Sequence, residues 1–193
     1  RFQLENTFFC TKLYDAIVTS PFTLNGQNSI IYEGQLSQIY ANQNQGKGSI
    51  AGISSTLKSY ITKSILFYGN FNFTHGRILH DNVIEPLDHI APYYGKTGFK
   101  YESNLVNLDL YMLYNGKKKV SDYSPSGEDN LKYAPKNGTP SWETLNLKGT
   151  LFLSQQFTFF TGFENILDTQ YRTFSSGINA SGRSFFLGGK YQF

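Results

Sequence analysis

An all-β fold, an antiparallel up-and-down transmembrane β-barrel, is what three features of this 193-residue sequence predict. Apolar and polar residues alternate with a period of two along most of the chain, and helical periodicity is nearly absent. Short and long connections between the alternating segments take strict turns. The composition is aromatic-rich and charge-poor, 17% Phe, Trp and Tyr against 16% charged, where a soluble domain has about a quarter charged. A strand with lipid on one side and water on the other needs that mixture.

The first strand, 2–18, starts at once on RFQLENTFF, and a long Gly/Ser-rich second strand covers roughly 37–61. In the third, Ile65, Phe67, Gly69, Phe71 and Phe73 alternate with Leu66, Tyr68, Asn70, Asn72 and Thr74. The fourth alternates Thr97, Phe99 and Tyr101 with Lys96, Gly98 and Lys100. The fifth runs through Val106, Leu108, Leu110, Met112 and Tyr114, and the sixth through Leu145, Leu147, Gly149, Leu151 and Leu153. The seventh carries Phe157, Phe159, Thr161 and Phe163 on one face. The eighth carries Phe185, Leu187, Gly189, Tyr191 and Phe193, against Ser184, Phe186, Gly188, Lys190 and Gln192.

Connections near Lys63, Ser103-Asn104 and Gln155-Gln156 are short, whereas 19–36, 76–93, 118–141 and 168–181 are long. Short turns at one rim and long loops at the other are the layout of an outer-membrane barrel. In a bilayer all backbone polar groups must be paired, so an all-β chain has to close. A soluble sandwich or lipocalin-like barrel also alternates, but its apolar face needs a covering partner, and no helical segment is available here.

Composition excludes several classes. A net charge of +3, with no basic cluster beyond Lys117-Lys118-Lys119, gives no case for nucleic acid. The single Cys10 allows no internal disulfide and no CxxC metal site. There is no apolar run long enough for a transmembrane helix, and no signal peptide at the start.

The stretch TGFENILDTQYRTFSSGINASGRSFFLGGKYQF resembles the end of TonB-dependent outer-membrane receptors. The matching positions are Glu164, Asn165, Ile166, Asp168, Tyr171, Arg172, Ser176, Gly177, Gly182, Arg183 and Phe193. Upstream, KLYDAIV (12–18), IAPYYGKTGFKY (90–101) and NGTPSWETLNL (137–147) are similar to other strand entries of the family. The resemblance implies that residues 1–193 are the C-terminal part of a barrel of about 22 strands. It implies a plug domain and a TonB-contacting segment that this sequence lacks, a Gram-negative outer membrane as the location, and outer-membrane lipid as a partner. The cargo it implies is a scarce nutrient, an iron chelate such as a siderophore or haem, with no resident cofactor. Tyr191 and Phe193 look like the signal by which such barrels are recognised for assembly. A self-contained eight-stranded outer-membrane barrel with a structural or adhesive role is the alternative.

No catalytic set is present: there is no G-x-S-x-G, no H-E-x-x-H and no phosphate loop, so an enzyme is not expected. His75, His80 and His89 fall in or beside one expected outer loop, where imidazole could ligate haem or metal or simply be solvated. Asp122, Glu128 and Asp129 have no calcium-loop spacing, and no metal site is assigned. His75, His80, Tyr123, Tyr133, Trp142, Tyr171 and Arg172 are the outer-loop candidates for touching a ligand; the aromatics and Arg172 also suit a girdle and a loop anchor. Glu164 and Lys190 should point into the lumen from neighbouring strands, to pair there or meet the plug.

Overall fold

The computed structural model describes residues 1–80, 82–125 and 129–193. The strands are β1 (Phe2–Pro21), β2 (Ser29–Tyr32), β3 (Gln35–Gln38), β4 (Tyr40–Tyr60), β5 (Ile65–His80), β6 (Val83–Pro86), β7 (Tyr94–Glu102), β8 (Val106–Asn115), β9 (Trp142–Phe152), β10 (Phe157–Glu164) and β11 (Ser184–Tyr191). Two short 3-10 turns, Val120–Asp122 and Leu131–Tyr133, lie in the loop before β9.

One antiparallel sheet runs β1-β4-β5-β7-β8-β9-β10-β11, with β6 folded back on the end of β5. The sheet is an open path: among the described residues β1 pairs only with β4 and β11 only with β10. It forms a wall, and its first and last strands are edges.

Because pleated side chains alternate, the register carries one apolar face across the wall. One row reads Phe67, Phe99, Leu110, Leu147, Phe163 and Phe185 through successive strand pairs. That face has no cover: Phe8 is 75% exposed, Leu187 68% and Phe185 56%, while among the described hydrophobics only Val18, Tyr111 and Tyr123 are buried. A soluble sheet would bury such a face; a sheet solvated by lipid leaves it open. The apolar stretch of β5, 65–73, is nine residues, which suits a tilted bilayer-spanning strand.

The opposite face is wet but not wholly polar. Its phenylalanines have a packing reason: Phe160 and Phe186 sit opposite Gly188 and Gly162, each ring lying over a glycine. A Cβ at Gly162 would fall 2.4 Å from Phe186, and one at Gly188 2.3 Å from Phe160. The rings thereby cover backbone that would otherwise be bare.

The short turns, 61–64, 103–105 and 153–156, lie at one rim with both termini: Tyr60 N–H donates to the Arg1 carbonyl, and Gln192 N–H to that of Gln156. Two expectations about the opposite rim need correction. Residues 76–80 continue β5, and Val83–Pro86 return along it, so 76–93 is not one loop. Within 19–36 lie β2 and part of the hairpin it makes with β3. The turns Asn25-Gly26 and Glu33-Gly34 both have positive φ at both residues, the geometry of tight hairpin turns.

Candidate functional site

The long-loop rim is built by a few residues that fix loop ends. Asn165, just after β10, adopts φ 51°, a left-handed conformation that asparagine tolerates. Its N–H donates to Asn146 Oδ1 at 3.0 Å, and its Nδ2 donates to the carbonyls of Thr169 at 2.9 Å and Ser181 at 3.3 Å. Its Oδ1 accepts the Thr169 N–H at 2.9 Å. Asp168 then accepts the Arg183 N–H at 2.8 Å, and a Cβ on Gly182 would come within 2.8 Å of that same carboxylate oxygen. The spacing that resembles the receptors' closing motif is thus a device for joining both ends of the 165–183 loop.

That loop is clasped to the 116–141 loop. Arg172 donates to Asn179 Oδ1 at 3.1 and 3.0 Å and also to the Tyr133 carbonyl. Asn130 Nδ2 donates to the Ser175 carbonyl at 2.7 Å. Tyr123 meets Phe174 edge-on at 5.8 Å, and Trp142 packs on Tyr171 at 4.2 Å. A third segment joins them: Lys118 Nζ donates to the Ile90 carbonyl, and Asp129 Oδ1 accepts the His89 N–H at 2.8 Å. Arg77 Nη2 on β5 meets Asp122 at 3.3 Å. Asp129 is fully buried and Lys118 only 4% exposed. Burial pushes the Lys118 ammonium below its usual range, against the opposing pull of Asp129 and Asp122.

The structure separates the sequence-derived candidates. Tyr123 is buried, its hydroxyl sharing a hydrogen bond with Thr139 Oγ1 at 2.6 Å; it is part of the loop core. Trp142, Tyr171 and Arg172 hold the loops to one another, while Tyr133 keeps its ring half exposed beneath Lys132. His75 stands on β5 and not in a loop; it follows Phe71 and Phe73 on the outward face. The His80 side chain and Glu128 lie outside the described residues. Beside Trp142 opens a cavity of about 750 Å³, bordered by Tyr93, Tyr114, Asn115, Glu143 and Thr169. The indole Nε1 of Trp142 and Oδ1 of Asn115 are buried without a hydrogen-bond partner there. Tyr93 and Asn115 carried no pattern that singled them out; only the fold places them beside Trp142.

A second polar group lines the lumen face at mid-wall. Tyr68 donates to Asp109 at 2.6 Å, and Asp109 also meets Lys96 at 3.5 Å. The Lys96 ammonium sits 3.7 Å from the Tyr111 ring centre, close enough for a strong cation–π contact. Gly98, opposite Tyr111, leaves room for this: a Cβ there would fall 2.7 Å from that of Tyr111. Lys148 pairs with Glu164 at 3.2 Å. The expected meeting of Glu164 with Lys190 does not occur, because the antiparallel register sets Glu164 opposite Ser184 and Lys190 opposite Thr158, at the two ends of β10. Among the described residues no group of acids, His and Cys is arranged to hold a metal.

No protein-family model and no curated protein matches the chain. Solved structures do. The copper transporter OprC is similar over 100% of this chain at TM-score 0.74 and 14% identity, with 29% of its own length covered. The FrpB iron transporter from Neisseria meningitidis gives 0.72 at 14% identity, covering 100% of this chain and 29% of that one. The siderophore receptor PirA from Acinetobacter baumannii gives 0.68 at 18%, covering 100% and 30%. These neighbours are TonB-dependent receptors, and the chain has the fold of part of their barrel wall. It spans about 29% of the length of the structures it matches.

Proposed function

We propose that this chain is the C-terminal barrel portion of a TonB-dependent receptor in the outer membrane of a Gram-negative bacterium. Its cargo is an iron chelate of the siderophore type. The observation that carries the reading is the open wall with an uncovered apolar face, superposable along its whole length on transporter chains about three times as long. The closing-motif residues Asn165, Asp168, Gly182 and Arg183, each with a part in building the loop, add to it.

In this reading the clasped outer loops face the incoming chelate, with the Trp142 cavity and the exposed Tyr133 ring as the surface offered. The lumen face, with Lys96, Lys148, Asp109 and Glu164, meets a plug domain encoded elsewhere in the protein. TonB reaches that plug from the inner membrane and supplies the energy. No bond is broken, so the protein is a transporter and not an enzyme. Siderophore is preferred to haem because His75 shares the outward row with Phe71 and Phe73, away from the lumen. A stand-alone eight-stranded barrel is disfavoured by the unpaired edges of β1 and β11.

The test is the mass of the native protein in outer-membrane extracts, detected with an antibody to this segment. A denatured band several-fold heavier than 21.9 kDa is expected. It should be followed by loss of siderophore-iron uptake on deleting the gene. A band near 21.9 kDa, or its absence from the outer-membrane fraction, would overturn the reading.

A further inference from the structure

The outward face of β1, β4 and β5 changes chemistry abruptly, and at the same height on all three strands. One row across them is Phe8, Ile53 and Phe73. The next is Cys10, Ala51 and His75, and the one above it Lys12, Ser49 and Arg77. Lys47, in register with Leu79, continues the outward face of β4 one row higher. Within two rows the surface passes from aromatic and aliphatic to basic.

At the same level the wall has a notch. The β5–β7 ladder ends at the pair Asn72 and Tyr94, and β6 takes up the same edge of β5 only at Arg77. On this edge residues 73–76 pair with neither β6 nor β7, and the segment 90–93 crosses the gap. Pro92 in that segment has no N–H to offer. What remains is a cavity of about 260 Å³ with Phe73 and Tyr93 among its walls, joined by His75, Arg77, Lys117 and Lys118. Asp122 is the one carboxylate among its described lining residues, and Arg77 meets it at 3.3 Å. Arg77 and Lys117 alone outnumber the one lining carboxylate, so the notch is positive even with the desolvated Lys118 left out of the count.

We propose that this basic band, with the notch at its edge, binds the phosphate groups of lipid headgroups in the outer leaflet. The inference rests on the membrane placement argued above, since that placement sets the band directly above the hydrocarbon. Charge complementarity selects the occupant. A surface that is apolar below and cationic above, facing outward, fits an amphiphile with acyl chains on Phe8, Ile53 and Phe73 and anionic oxygens at Lys12, Arg77 and Lys117. Arg77 can present the paired donors that phosphate oxygens favour, and the lysines act as point charges.

The protein extracted from its own outer membrane in mild detergent is the material for the test. A phosphorylated glycolipid and its enzymatically dephosphorylated counterpart are titrated in, and binding is read by native mass spectrometry and by the shift in thermal midpoint. Parent protein should retain the phosphorylated lipid and gain stability from it, with little effect of the dephosphorylated one. The double variant Lys12→Gln, Lys117→Gln should bind it more weakly by roughly fivefold per charge removed. Arg77→Gln can disturb the loop through Asp122, so Arg77→Lys serves beside it and should keep most of the binding. Equal binding of both lipids, or an unchanged affinity in the double variant, would overturn the proposal. So would displacement of the lipid by low inorganic phosphate, which would mark a free-anion site. Membrane localisation with no phosphate preference removes this inference alone; absence from the outer membrane removes the membrane reading as well.

Discussion

Replacing Asn165 by alanine would remove three side-chain hydrogen bonds from a buried position and leave a φ of 51° that alanine resists. The expected cost is about 2–4 kcal/mol, concentrated in the 165–183 loop. Trypsin added to intact cells should then cut after Arg172 or Arg183 while the barrel itself stays resistant. Asn165→Gly should recover about 1 kcal/mol by relieving the backbone alone. Lys118 offers a prediction in pH. Its folded-state pKa lies below the ordinary lysine value, so in the window between the two the unfolded loop holds more protons than the folded one. Loop stability should therefore rise as pH climbs toward the unfolded lysine pKa of about 10.4, and be lowest below the folded value. Protease resistance of the 116–141 loop across pH 8 to 10 measures this, and Lys118→Met should flatten the slope.

At the scale of the strand, the two faces should answer differently to charge. Leu110 lies in the middle of the apolar row, between Phe99 and Leu147. Leu110→Arg should cost about 2–4 kcal/mol in urea unfolding from lipid vesicles, whereas Thr150→Lys on the lumen face should be nearly neutral. This asymmetry was legible in the sequence, because a period of two assigns a face to every residue once any one is assigned. The eight main strands and the sidedness of the loops followed from it. What the period could not give was where a strand stops. On β5 the alternation changes from Phe71 and Phe73 to His75 and Arg77 around Gly76, a residue that also marks turns, so a continuing strand looked like a loop. The β2–β3 hairpin had a usable signal in its Glu33-Gly34 pair, as did the turn before it in Asn25-Gly26, and the emphasis on long connections passed over both. Tyr123 could not have been told from a ligand-facing aromatic, since its burial depends on Phe174 and Thr139, which are distant in sequence.

For the molecule as a whole, the open edges decide behaviour. β1 is 20 residues long and β11 only 8, so each would be a poor match for the other. The isolated 193-residue chain, refolded into detergent, should run at the same position heated and unheated on gels and should self-associate through its bare edges. A compact monomer whose mobility changes on heating would show that the edges can close on each other. The same disparity in length has a consequence outside the membrane. β1 and β4 run 20 and 21 residues against 10 for β8, so at roughly 3.3 Å per residue they stand about 35 Å taller along their own direction. The rim is therefore a parapet with one high side. In the proposed outer-membrane placement, a phage, antibody or other large body descending on the cell would strike Ile31 and Leu36 at the summit of that side before reaching Trp142, while a small solute could slip in over the low side.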